Sequence, residues 1–249
     1  MTGEGPQALA QWLHLTPTEI EALWLSLIVA LWCVVICVPI AGLLGWVLAR
    51  REFPGKAVLD VAVHLPLVLP PVATGYLLLL ALGRQGWIGA SLDNWFGLTF
   101  AFQWTGAVIA STVMALPLAV RAIRLALEAV PQELEISAAS LGASRSQILW
   151  HVTLPLCLPG FAAAAILAFA RSLGEFGATI TFVSNIPGET QTIPNALYAV
   201  LQTPGGDAPA MRLMLISLGL AFAALLVSEL LARRVRYHVG RAPRSGWSL

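Results

Sequence analysis

The chain has 249 residues, of which 58% are hydrophobic and only 11% charged, with a formal net charge of +1 and a mean hydropathy of +0.80. A soluble domain carries about a quarter charged residues, and surface-to-volume scaling denies a chain of this length a core large enough to hide so much apolar surface. The composition therefore excludes an ordinary water-soluble protein, the near-zero net charge gives no reason to expect a nucleic-acid partner, and the lipid bilayer is the implied solvent.

In chain order, the first apolar run covers residues 22–49, and no Lys or Arg precedes Arg50. The positive segment of a cleavable signal peptide is thus missing, and the run is too long for one. Residues 58–82, 104–120, 156–183 and 211–232 complete five stretches, each able to cross a hydrocarbon layer that takes about 20 residues. Cys33, Cys37 and Cys157 fall inside these runs as small apolar fillers, too few for a metal cage. Pro66, Pro70 and Pro71 interrupt the second stretch. Proline removes a donor and crowds the preceding turn, so this span is expected to be kinked. It should face protein or a pathway that satisfies the freed groups.

Basic residues set the expected orientation. Arg50, Arg51 and Lys56 occupy the first loop, Arg121, Arg124 and Arg145 the third, and Arg233, Arg234, Arg236, Arg241 and Arg244 the tail, with Arg84 and Arg212 on the other side. The basic loops and tail are therefore read as cytoplasmic and the N-terminus as outside. Trp87, Trp95 and Trp104 suit an interfacial belt. The segment 184–210, rich in Pro and Gly, reads as loop with a short helix near Asn195–Gln202.

The connection 121–155 carries the most pattern. Pro131 restarts a helix, Glu133 and Glu135 favour its positive first turn, Ser137 to Ser140 offer a small-residue face, and Gly142 permits a left-handed cap. Ser144 can cap a second short helix, 145–150, before Pro155 opens the fourth span. The reading is two short surface helices on which a soluble partner could push, or a plain amphipathic connector. This stretch resembles the coupling loop of ABC importer permeases, which runs Glu-Ala-Ala, three residues, Gly, nine residues, Ile, any residue, Leu-Pro. Here Gly142 is followed after nine residues by Val152, Thr153, Leu154 and Pro155. Upstream, Ile136, Ser137 and Ala138 stand at the Glu-Ala-Ala positions, with the acid one place earlier at Glu135. The resemblance implies that Glu135, Ser137, Ala138, Gly142, Ala143, Leu154 and Pro155 form an ATPase-coupling loop.

In the fourth stretch Arg171 and Glu175 lie four apart, joined by Ser172, Thr179, Thr181, Ser184 and Asn185, with Gly174 and Gly177 for close helix contact. Charge in a span faces a bundle interior or a water-filled cavity. The two charges could be a buried structural pair, part of a gate that attracts an anion, or residues snorkelling to the outer interface. Because Arg before Glu is the weaker helical order, a partner on another helix is also conceivable.

Gly-Glu-Phe-Gly-Ala-Thr at 174–179 and Asn-Ile-Pro-Gly-Glu-Thr at 185–190 closely resemble the signature region of molybdate permeases, with sulfate permeases sharing parts of both. That resemblance implies an all-α, polytopic helical bundle of the type I ABC importer class, forming a single transmembrane domain of about five spans in the bacterial inner membrane. It further implies a second permease copy, two cytoplasmic ATP-binding subunits and a periplasmic oxyanion-binding protein. Arg171, Ser172, Glu175, Thr179, Thr181, Pro70 and Pro71 become candidates for the pathway or gate. Molybdate is the expected cargo, with sulfate, tungstate or another oxyanion as the alternative, and a passive channel or membrane-embedded enzyme as the other classes. His14, His64, His151 and His238 are scattered, and no Gly-rich phosphate loop with a following Lys occurs. Neither catalysis nor a cofactor or metal is expected of this chain, so ATP must be hydrolysed on a partner.

Overall fold

A computed structural model describes residues 15–239, and among them every regular element is helical. Helix α1 (Pro17–Arg50) begins at a capping box in which Thr16 and Glu19 exchange hydrogen bonds. Its 34 residues run roughly 50 Å at the helical rise. Two shorter helices follow, α2 (Lys56–Val68) and α3 (Pro71–Leu82), bent by 117° at Leu69 and Pro70. A small helix α4 (Gly89–Phe96) leads to α5 (Trp104–Glu128), and α6 (Gln132–Ser140) and α7 (Arg145–Ile148) form the connection to α8 (Leu154–Leu173). Then come α9 (Gly177–Val183), α10 (Ile193–Leu201) and α11 (Asp207–Val239). Arg241, Arg244 and His14 lie outside the described residues.

The centre of the bundle is α1, α5 and α8, packed along their lengths. Their contact is built from small side chains, with Cys33, Cys37, Ala41, Ala115, Ala119, Cys157, Ala164 and Ala168 all buried. Small residues let membrane helices approach closely where no hydrophobic effect drives them together. The three cysteines are unpaired, as filler thiols should be. The apolar sides of α1 and α11 that point away from the bundle leave Trp24, Leu31, Val35, Leu43, Leu218 and Phe222 exposed, as a lipid-facing surface requires.

Two ion pairs identify the ends of the bundle. Arg212 at the start of α11 donates to Glu19 at the start of α1, at 3.0 and 3.2 Å. At the opposite end, Arg50 closing α1 reaches Glu135 of α6 and the Leu127 carbonyl of α5. Helices α1 and α5 both finish at the Arg50 end, so the chain must return across the bundle between them. The bent pair α2–α3 makes that return, giving a fifth crossing beside the four long apolar helices.

Three boundaries differ from the sequence reading. The kink expected from the prolines in 58–82 is a complete break, because Pro70 and Pro71 both lack the amide that a continuous helix needs. Second, the stretch 156–183 is two helices: α8 stops at Gly174, and α9 carries the crossing on until Val183 lies beside Gly106 at the start of α5. Third, the short helix expected at 145–150 starts where expected, at Arg145 behind the Ser144 cap, but runs on into the fourth span. Arg145–Leu173 is continuous, with a widened π turn at Leu149–Thr153 in which the Leu154 amide donates to the Leu149 carbonyl. The wider turn relieves the clash between the Pro155 ring and the carbonyl four residues back, although Pro39, Pro117 and Pro159 are accommodated without such widening.

The two broken crossings touch at their breaks. A Cβ added to Gly75 would stand 2.5 Å from the Ala178 carbonyl oxygen, and one added to Gly177 would stand 2.6 Å from the Pro71 Cβ. Gly177 thus makes the close contact expected of it, whereas Gly174 has no such neighbour and serves as a helix stop. Gly75→Ala should lower the thermal midpoint of the detergent-solubilised protein, overpacking costing about 1–3 kcal/mol. Gly219→Ala, in open space on α11, should leave it unchanged or raise it, since the swap favours a helix by about 0.5–1 kcal/mol. Equal effects of the two would remove the close approach as a determinant of packing.

Candidate functional site

Two regions gather the residues singled out from the sequence. The first surrounds the paired breaks. Pro70 and Pro71 are exposed at the α2–α3 bend, and the Pro70 carbonyl accepts from Ala73 and Thr74 at 2.9 and 3.1 Å, restarting the helix. Across from them, the Glu175 carboxylate accepts from the Ala178 amide at 2.8 Å and so caps α9. Its other oxygen meets the Arg171 guanidinium in an ion pair that is close but not aligned as a hydrogen bond. The Glu175 side chain is 1% exposed and that of Arg171 25%.

Arg171 and Glu175 therefore pair with each other, not with a different helix. The unfavourable helical order does not apply, because Glu175 sits beyond the end of α8 and its carboxylate is turned towards α9. The outer-interface arrangement does not apply either, as Glu175 is enclosed. The pair is neutral as a unit, and the carboxylate already occupies the α9 N-terminus where a helix dipole favours an anion.

The hydroxyls divide into two groups. Thr179 is buried and donates to the Phe176 carbonyl at 2.9 Å, and Thr181 donates to Gly177 at 3.0 Å. Ser172 and Thr74 are buried with hydroxyls that find no hydrogen-bond partner among the described residues. Beyond α9, Ser184 takes a positive φ of 67°, and the loop closes through reciprocal 3.3 Å bonds from Asn185 to the Asn195 carbonyl and from Asn195 to the Ser184 carbonyl.

The second region is the surface between α5 and α8. Helix α6 buries no residue, and Leu141 is 90% and Trp150 63% exposed. Ala138, Leu141, Gly142, Ala143, Gln147, Ile148, His151 and Val152 enclose an open groove of about 480 Å³. Gly142 turns the chain at φ 88° with nothing near its α-carbon, and Ser144 then caps α7 in a box with Gln147. Ser137 is exposed and Ala138 half-buried. Leu154 is half-buried and Pro155 exposed, on the helix side of the π turn.

Glu135 differs from the rest of this loop. Its two oxygens receive Arg50 at 3.0 and 3.1 Å, and the Thr153 hydroxyl donates to the first at 2.7 Å. Arg50 also donates to the Leu127 carbonyl at 3.1 Å. One partly buried carboxylate thereby holds the ends of α1 and α5, the surface helix α6 and the π turn together. Bidentate Arg–carboxylate pairing fixes geometry as well as charge. Sequence reasoning took Arg50 only as an orientation marker and Thr153 only as part of the Leu-Pro frame. Their separations from Glu135, 85 and 18 residues, carry no local signal. Thr74 and Gly75 were likewise silent within a uniform apolar run.

A model of the family described as the binding-protein-dependent transport system inner membrane component matches residues 41–237. The chain belongs to that family. It is the inner-membrane, membrane-spanning component of such a transport system, all-α, and a transport subunit with no catalytic role of its own. Among individual relatives, it is 58% identical over 227 residues to the molybdenum transport system permease protein ModB of Escherichia coli (strain K12), covering 91% of this chain and 99% of that protein. The protein of the same name from Haemophilus influenzae is 53% identical over 223 residues, 90% and 97% of the two chains. A sulfate transport system permease protein, CysW of Synechocystis, is 35% identical over 88% of this chain and 78% of its own. Among solved structures, a bacterial ABC transporter that imports the acidic polysaccharide alginate shares the fold, with a TM-score of 0.74, 18% identity, and coverage of 94% and 85%. The inward-facing MetNI methionine ABC transporter does so with a TM-score of 0.64, 18% identity, and coverage of 94% and 99%.

Glu175→Ala should strand Arg171 in the bundle and uncap α9. Breaking a buried pair costs about 3–5 kcal/mol, measurable as a large fall in thermal midpoint. Replacing both charges, Arg171→Met with Glu175→Met, should recover part of that loss. A double variant no more stable than Glu175→Ala would mean that the capping bond, not the ion pair, holds the break.

Proposed function

We propose that this permease carries molybdate across the bacterial inner membrane by alternating access, as a homodimer with two cytoplasmic ATP-binding subunits and a periplasmic oxyanion-binding protein. The observation that carries the reading is the identity of 58% to a molybdenum permease over 99% of that protein's length, together with an exposed loop at the Arg50 end. The basic residues collected there support a cytoplasmic location for that end and an outside N-terminus. The α6–α7 groove is the natural seat for an ATP-binding subunit. Glu135 makes the seat stiff, so a push on α6 reaches α1, α5 and α8 at once.

In this reading the paired breaks line the route at the permease dimer interface. The neutral Arg171–Glu175 pair and the unpartnered hydroxyls of Thr74 and Ser172 supply only weak anion contacts. Weak contacts suit a conduit that must release its cargo, with selection residing in the delivery protein. Nucleotide and delivered anion then bias a two-state element. Sulfate is the second reading, favoured by the 35% identity to a sulfate permease.

The deciding experiment is radiolabelled molybdate uptake into vesicles holding this chain with its ATP-binding and binding-protein partners. Uptake should require ATP and be competed by tungstate but poorly by sulfate. Equal competition by sulfate would remove molybdate as the cargo. Gly142→Val, which forces a side chain into a left-handed turn, costs about 1–2 kcal/mol. Co-purification of the ATP-binding subunit should therefore weaken on the order of ten-fold, with the thermal midpoint of the isolated permease little changed. Undiminished co-purification would take the coupling role away from this turn.

A further inference from the structure

A second charged cluster lies at the cytoplasmic end, apart from the Glu135 junction. Asp60 and His64 of α2 and Arg121, Arg124 and Glu128 of α5 line an open cavity of about 460 Å³. Arg124 donates to Asp60 at 3.0 Å and to Glu128 at 2.8 Å, while the His64 Nδ1 faces both the Asp60 carbonyl and its carboxylate, at 2.8 and 3.1 Å. Arg121, three residues before Arg124, lines the same cavity and among the described residues has no carboxylate partner. Residues three apart share a helix face, so the two arginines leave α5 at successive positions separated by a rise of roughly 4.5 Å along its axis.

Helix α2 is loosely held. Val63 is its only buried residue, and among the described residues Asp60–Arg124 is the one ion pair joining it to another helix. Its far end meets α3 at the 117° break beside Pro70. Half-exposed ion pairs such as this one are weak enough to exchange partners. Arg124 lies within one turn of Leu127, whose carbonyl is gripped by Arg50 in the Glu135 junction, so displacement of the coupling loop reaches this arginine directly.

We infer that Asp60 exchanges between two seats during transport, Arg124 in the arrangement seen here and Arg121 in the other, so that α2 slides about 4.5 Å, just under one helical turn, along α5 and pivots at Leu69–Pro70. One-turn ratchets of packed elements are an established form of switching. Asp60, Arg121 and Arg124 are then positioning residues that carry motion from the coupling loop to the broken crossing, and the inference rests on the function proposed above.

The test uses the full complex reconstituted in vesicles. Two double-cysteine variants that keep Asp60, Arg121 and Arg124, Val61→Cys with Leu125→Cys across the same cavity and Val61→Cys with Ala122→Cys three residues earlier on α5, are bridged with a short thiol cross-linker, at rest and after trapping with ATP and vanadate. The three native cysteines are buried and so poorly placed to react. Expected is a higher yield for the Val61–Leu125 pair at rest and for the Val61–Ala122 pair when trapped. Yields that do not change with state, including none at all, overturn the exchange. Alongside, Arg121→Gln should cut molybdate uptake by about two- to five-fold, on the order of the loss of one half-exposed ion pair, while ATP hydrolysis continues, and Arg121→Lys should restore uptake. Full uptake by Arg121→Gln also overturns it. A wild-type complex that neither hydrolyses ATP nor accumulates molybdate would instead defeat the functional reading itself.

Discussion

Inside hydrocarbon a helix can stop only where something else takes over its backbone hydrogen bonds, and this bundle stops two helices side by side. The breaks at Leu69–Pro70 and at Gly174–Phe176 would each be costly alone. Together they are tolerable, because Gly75 and Gly177 let the two irregular stretches pack backbone against backbone and the Glu175 carboxylate supplies the acceptor that α9 would otherwise lack. Arg171 then balances the charge that this cap brings into the bundle. The rest of the architecture follows from accommodating these interruptions: α1, α5 and α8 form a wall joined through small residues, and α2, α3 and α9 lie against it.

The same logic operates at the other end with a different chemistry. A surface helix with no buried residue contributes little packing energy of its own, so α6 needs an anchor. Glu135 supplies it by accepting three hydrogen bonds, two from Arg50 and one from Thr153. The exposed apolar residues of the loop remain free for a partner, and Glu135 is committed inward. Stiffness and accessibility are thus divided between side chains of the same nine-residue helix.

Much of the fold was legible because a bilayer imposes one dominant rule, that crossings must be long and apolar. Residues 22–49, 104–120 and 211–232 all fall within single helices, each extending further than the apolar run itself. Helix interruptions were legible only where proline marked them. Gly174 was ambiguous, since glycine both permits close packing and ends helices, and neighbours distant in the chain decide which. The π turn was hidden for a related reason: Pro155 is acceptable at the start of a helix, and only the continuity of α7 with α8 gives its ring a preceding turn to clash with. Of the site, the residue types were readable and the partnerships were not. Arg171 with Glu175 is local and was visible as a pair. Glu135 with Arg50, and Asp60 with Arg124, join residues brought together by antiparallel or parallel crossings, and no local spacing encodes that.

The widened turn at Leu149–Thr153 has a geometric corollary. A π turn inserts one residue into an α-helix, so everything before it is rotated by about 100° relative to an uninterrupted helix. Deleting one residue there would regularise the helix while swinging Gln147, Ile148 and the groove they border around to a different face. The docking surface and the transmembrane segment are consequently phased by a single extra amino acid, which acts as the angular setting between the part of the molecule that meets water and the part that meets lipid.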